Sequence, residues 1–252
     1  MNTEELLESI DTKLTKLNPP EEIQPERIRP VAIMTRERRQ LGDLEKDFQQ
    51  VLDSIKYDKR VPGLITRLAD MHLREAAFGR AIILYEISLG LASEQVGAWT
   101  HMGLAYSMVG DPKDAISCLG SALAIEPENT LALVYLANAQ LLQGDLEKCN
   151  ENLDRVLQLD ASMSRAMLVK GKYFRKNGEP DVAVTWLRRA IAMDPQFLPA
   201  LMELGSVYLS LKKYKEAMET LDKAVVVDPE QAYALATLGD VSAEQHDLET
   251  AL

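Results

Sequence analysis

The sequence predicts an all-α protein of stacked helix pairs, and three observations predict it. Small residues recur every 34 positions, with Gly103, Ala137, Gly171, Gly205 and Gly239 in an unbroken series that Ala69 precedes. Two more series keep the same step: Ala81, Ala115, Cys149, Ala183, Ala217 and Ala251, then Pro127, Pro195 and Pro229 with Ala161 in the intervening slot. Within one period the apolar residues have helical spacing, since Trp99, Met102, Gly103 and Tyr106 fall at i, i+3, i+4 and i+7. The string GDLEK at Gly42–Lys46 returns at Gly144–Lys148, and HDLET follows at His246–Thr250. Each starts 102 residues after the last, which is three periods.

Taken from the N-terminus, Thr3 is placed to cap a helix whose Leu6, Leu7, Ile10, Leu14 and Leu17 form one apolar stripe. The segment NPPEEIQPERIRP follows and reads as an extended, proline-rich linker. Residues 1–27 are thus an amphipathic helix and linker. The helix either caps the first repeat or docks in a groove, its own or another copy's. The repeats are expected over 28–252. Units 28–61 and 62–95 are degenerate, the former carrying Asp47 where a small residue is expected. Units 96–129, 130–163, 164–197 and 198–231 match well. In the first of these, VGDP breaks the Trp99–Tyr106 stripe, Ala115, Leu119 and Ala122 form a second, and EPEN ends it. Unit 232–252 is incomplete, which would leave Leu235, Leu238 and Val241 without a covering helix.

This register places interhelical turns near Gly110, Gly144, Gly178 and Lys212. A helix-interior glycine costs about 1 kcal/mol against alanine. Glycine or alanine at one fixed place on the apolar stripe therefore marks a close approach of two helices. Lys170 stands where that stripe calls for leucine, and is expected to pack its stem and carry its ammonium to water. Because each helix pair has too small an apolar face to fold alone, neighbouring pairs must stack.

Composition excludes several function classes. With 46% hydrophobic and 27% charged residues the chain reads as a folded, soluble protein. A net charge of −11 argues against nucleic-acid binding over the whole surface. The start MNTEELLES has no basic or apolar leader pattern, and the longest apolar run, Leu131–Ala137, is too short for a membrane span. A cytoplasmic location is expected. His72, His101 and His246 fall in three different repeats without ligand spacing, so no metal site is expected. No phosphate loop, nucleophile elbow or paired-carboxylate motif occurs, so no catalytic residue, cofactor or enzymatic activity is expected within these residues. Cys118 and Cys149 read as structural thiols, Cys149 occupying a small-residue slot.

The residues Trp99-x2-Met102-Gly103-x2-Tyr106 with Ala115, Leu119, Ala122 and Pro127 resemble the tetratricopeptide repeat. So do Leu201-x2-Leu204-Gly205-x2-Tyr208 with Ala217, Leu221, Ala224 and Pro229. The resemblance implies a right-handed α-α superhelix, a solenoid of helix-turn-helix repeats. It also implies a concave groove, lined by first helices, where partner peptides bind. If each unit is numbered from 1, positions 4, 7, 8 and 11 face the core and positions 2, 5, 6, 9, 12 and 13 fall opposite. On that face lie Leu104, Met108, Val134, Tyr135, Asn138, Leu141, Leu142, Arg165, Leu168, Val169, Lys172, Arg175, Lys176 and Met202, the candidate partner-binding residues. Some of these also fit as packing between first helices. Unit 164–197 carries seven basic against three acidic residues, a local excess that would guide an acidic ligand there.

The partner expected is a protein: a peptide or amphipathic helix with large apolar side chains and nearby Asp or Glu. Nucleic acid is not expected, because Tyr173, Phe174 and Trp186 do not interleave on the basic face. The clamp by which some family members hold an acidic chaperone tail needs lysine at position 5. That position holds Thr66, Thr100, Val134, Leu168, Met202 and Ala236, with Arg165 and Asn138 as isolated matches elsewhere. Three functional readings are open: an interaction scaffold, the N-terminal arm of a larger enzyme such as a glycosyltransferase with its catalytic domain beyond residue 252, and a self-assembling homo-oligomer.

Overall fold

The computed structural model describes residues 61–229 and, beyond them, Gly239. The expected N-terminal helix and linker, unit 28–61 up to its last residue, and the incomplete last unit apart from Gly239 lie outside the described residues. Among the described residues there are ten α-helices and no strand. They are α1 (Val61–Arg74), α2 (Phe78–Leu91), α3 (Val96–Met108), α4 (Pro112–Ile125), α5 (Thr130–Gln143), α6 (Leu146–Leu159), α7 (Ser164–Lys176), α8 (Pro180–Met193), α9 (Leu198–Ser210) and α10 (Tyr214–Val227). The second helix of each pair begins 34 residues after the last, at 78, 112, 146, 180 and 214.

The turn inside each pair explains that regularity. At residues 76, 110, 144, 178 and 212 the backbone is left-handed, with φ from +57° to +94°, so the first helix ends there and the chain reverses. In each turn the next amide donates back to a carbonyl five residues earlier: Asp111 to Tyr106 at 2.9 Å, Glu179 to Phe174 at 2.8 Å, Lys213 to Tyr208 at 2.9 Å. Glycine adopts this conformation without steric cost, and Gly110, Gly144 and Gly178 fill three of the five slots. The second helix then starts at once. Asp111 accepts the Asp114 amide at 3.2 Å ahead of Pro112, and Asp145 accepts the Lys148 amide at 3.2 Å.

The chain divides between Tyr135 and Leu136 into two compact bodies. In the first, α1 packs on α2, α2 on α3 and α3 on α4, and α1 also meets α3. In the second, the chain of contacts runs α6 to α7, α8, α9 and α10, and α7 also meets α9. First helices therefore touch first helices as well as their own partners. The core of the second body joins Met167, Leu168, Leu187, Leu204, Tyr208 and Leu221 around Ala183, Ala190, Ala200 and Ala217. In both bodies the recurring small residues on first helices are close-contact points. Carbon placed on Gly103 would meet Leu119 Cγ at 2.5 Å, and on Gly171 it would meet Leu187 Cγ at 2.6 Å.

Lys170 corrects one expectation. Its side chain is 6% exposed, and its ammonium reaches Asp154 Oδ1 and, at 3.0 Å, Asn150 Oδ1 on α6 rather than open water. The Trp186 ring lies 5.6 Å from that nitrogen. A buried ammonium needs a carboxylate more than a packed stem. Both thiols are buried, and burial first, then nearby carboxylates at Cys118, pushes each up to about 12. At Cys149 the charges of Lys170 and Lys176 oppose the effect without cancelling it.

Candidate functional site

The candidate face is built from first helices, and each compact body carries its own part. In the first body Met108 projects to solvent at 57% exposure, with Leu104 and Tyr135 half-buried, while Val134 is fully buried. Toward the start of this face lies a polar cluster that spacing alone did not single out. Asp70 Oδ1 accepts the Tyr85 hydroxyl at 2.6 Å and His101 Nδ1 at 2.8 Å. The buried Tyr85 ring lies 6.3 Å from the imidazole. Burial and the Asp70 carboxylate raise the Tyr85 phenol well above its ordinary value of 10.0. Asp70 holds position 9 of one unit and His101 position 6 of the next, both on the predicted face, so the repeat register contained the signal.

In the second body the predicted residues separate into two sets. Leu141, Leu168 and Val169 are buried, and Leu168 belongs to the core with Leu204 and Tyr208. Leu168 therefore packs within the fold, and Leu141 and Val169 are withdrawn from solvent. Leu142 is 52% exposed, and Arg165, Arg175 and Lys176 are exposed as well. Asn138, Lys172 and Met202 are half-buried, Met202 lying against the core from α9. What reaches the surface of α5, α7 and α9 in this body is Leu142, part of Met202, and the side chains of Arg165, Arg175 and Lys176 with part of Lys172.

Two of those cations have structural duties. Lys176 donates to the Leu141 carbonyl at 2.5 Å, capping the last turn of α5 where carbonyls lack helical partners. Arg175 Nε lies 2.7 Å from Glu203 Oε1 on α9. Glu203 was not among the sequence candidates, although it occupies position 6 of its unit. Its side chain is 13% exposed and that of Arg175 49%, so the guanidinium keeps an outward edge. Lys172 makes no hydrogen bond or ion pair among the described residues.

Among the described residues no group of His, Cys, Asp and Glu could hold a metal ion, and no helix is long and apolar enough to cross a membrane.

Comparison with known proteins places this architecture. The tetratricopeptide repeat model matches residues 108–169 and 174–251, together more than half of the chain, and a second model of the same description matches 150–196. No curated protein sequence matches. Among solved structures, the thermophilic repeat protein TTC0263 from Thermus thermophilus is 18% identical with a TM-score of 0.68, over 72% of this chain and 99% of that one. A tetratricopeptide repeat protein from Parabacteroides merdae is 16% identical with a TM-score of 0.65, over 98% and 88%. Pseudomonas aeruginosa pilF is 17% identical with a TM-score of 0.58, over 75% and 86%. At these identities the likeness is one of fold: an all-α solenoid of helix pairs. With its 34-residue register, left-handed turns and small-residue contacts, the chain belongs to the tetratricopeptide repeat family.

Proposed function

We propose that this protein is a non-enzymatic, cytoplasmic interaction scaffold. On this reading the face of α5, α7 and α9 in the second body takes an amphipathic helix or extended peptide with large apolar side chains flanked by Asp or Glu. The observation that carries it is the exposed Leu142 and half-buried Met202 among Arg165, Lys172, Arg175 and Lys176, in a chain of net charge −11. Apolar anchors supply affinity through burial, at about 25 cal/mol per Å² of surface removed from water. The cations set register and speed encounter, and an acidic ligand is repelled by most of the remaining surface. In the first body, Leu104, Met108 and Tyr135 are proposed as an apolar contact of their own.

The test is fluorescence anisotropy with a labelled amphipathic peptide of leucine and glutamate, against the same peptide with lysine for glutamate. The acidic peptide is expected to bind and the basic one not. Lys172→Glu should weaken binding by about 1 kcal/mol at low salt, and by less at high salt because exposed charges are screened. Arg175 and Lys176 are left intact because reversing them would also strand Glu203 and uncap the end of α5. Equal binding of both peptides, or no effect of the reversal, refutes the reading.

A further inference from the structure

The first body carries a polar cluster beside its apolar contact. Asp70 accepts from both Tyr85 and His101 through Oδ1. A carboxylate only accepts, so the hydrogen of the neutral imidazole sits on Nδ1 and Nε2 carries the lone pair. Nε2 has no hydrogen-bond partner among the described residues, and the His101 side chain is 32% exposed. On α1, Arg67, Asp70 and Arg74 fall at i, i+3 and i+7, which is one helix face. Arg67 is exposed and makes no hydrogen bond or ion pair among the described residues. Arg74 donates its Nε to the Asp70 carbonyl at 3.2 Å. Residues 61–135 hold eight acidic and four basic side chains. This face nevertheless has two of those four cations, and its one carboxylate is already engaged by two donors. An anion is drawn here and repelled by most of the remaining body.

We infer that Arg67 and His101 together bind a side-chain carboxylate of a partner peptide whose apolar neighbour lies on Leu104 and Met108, and that this binding takes up one proton at His101 Nε2. This rests on the reading of Leu104 and Met108 as a contact, and it does not involve the α5–α7–α9 face. The proton comes from solvent. With Nδ1–H held by Asp70, the protonated Nε2 donates to the incoming carboxylate, and the Arg67 guanidinium supplies a second charged donor. The groups around the ring allow this. Tyr85 approaches from α2, with its phenol kept protonated by burial and by Asp70. Glu86, on the same helix, accepts the Tyr106 hydroxyl at 3.1 Å. Arg74 of α1 and Tyr135 of α5 both lie near enough to act electrostatically on Tyr85. Glu75 stands at the end of α1 beside His72, and α4 packs on the side of α3 that carries Gly103.

The test follows the methionine methyl resonances of the full chain as the acidic leucine–glutamate peptide is added. Met108 reports on the first body and Met202 on the second. Met108 should shift, with affinity about tenfold higher at about pH 6 than at about pH 8, within the limit of about tenfold per pH unit for one proton taken up. The peptide's glutamates stay ionised throughout that range. His101→Gln retains a donor for Asp70 and should abolish the pH dependence. Arg67→Gln should weaken binding at Met108 by up to about fivefold and leave the pH dependence in place. Met202 is the internal control, because α5, α7 and α9 contain no histidine. A shift at Met202 alone would overturn the inference and leave the second-body site standing. The same pH dependence at Met108 in His101→Gln, or an equal response to a glutamine-for-glutamate peptide, would also overturn it. A pH-dependent shift at Met108 alone would support the inference and refute the α5–α7–α9 reading. No shift at either methionine would sink both.

Discussion

The backbone of Gly205 lies so close to the side chain of Leu221 that an added methyl carbon would sit 2.6 Å from Leu221 Cδ2 and 2.7 Å from Cγ. Cγ is the branch point of a fully buried residue, with no free volume into which to retreat. Gly205→Leu should therefore overpack the α9–α10 crossing and cost about 1–3 kcal/mol or more. Gly120 in α4 has nothing within 4 Å of an added carbon. Gly120→Ala should stabilise by about 0.5–1 kcal/mol through helix propensity. Opposite shifts of the two variants in denaturant melts are the expected result.

The turns make a second comparison. Lys212 sits at φ +57° in the slot that Gly178 fills at +84° one repeat earlier. A residue with a Cβ is disfavoured there by about 1–2 kcal/mol. Lys212→Gly should stabilise by about 0.5–1 kcal/mol, less than that penalty because glycine also gains entropy in the unfolded chain. Gly178→Ala should destabilise by about 1 kcal/mol. Equal midpoints for parent and both variants would contradict the turn geometry.

The pairing of Lys170 with Asp154 predicts an asymmetry. Asp154→Ala removes the counter-charge and leaves an ammonium in a 6% exposed site, at a cost of about 1–3 kcal/mol. Lys170→Leu, the residue the repeat pattern favours, removes the charge with its need for a partner and should be close to neutral. The measurement is the unfolding midpoint of each single variant and of the double. Adding Lys170→Leu should rescue Asp154→Ala.

The thiols predict chemistry as well as stability. With Cys118 and Cys149 pushed up to about 12 by burial, neither forms thiolate near neutral pH, and a thiol reagent should label them only as the protein unfolds. The linkage has a definite sign. Each group holds its proton more tightly folded than unfolded, so its contribution is complete below its ordinary value of 9.0 and is lost as pH rises toward about 12. Alkaline destabilisation over that window should lessen when Cys149 is replaced by alanine, the residue that fills the same slot in other repeats.

Helix placement was legible in the chain because its determinants are local. Gly144 turns left-handed, Asp145 caps the following helix and Pro180 opens α8, each acting within a few residues and each repeated every 34. The close contacts were legible for the same reason: a glycine on an apolar helical stripe has no local advantage, so only a neighbour explains it. Exposure was another matter. Leu168 and Val169 lie on the outward arc of their own helix, but α9 packs beside α7 and Leu168 joins its core, leaving Leu142 and Met202 as the accessible apolar contacts. The angle of a side chain about one helix axis does not reveal the helix that covers it. The partners of Lys170 and Arg175 were hidden likewise, since Asp154 and Glu203 lie 16 and 28 residues away and come into reach only when helices stack. A single sequence of this family dictates where helices start, turn and touch. Stacking decides which outward side chains meet water, because burial and ion pairing depend on distances that form only in the assembled repeats.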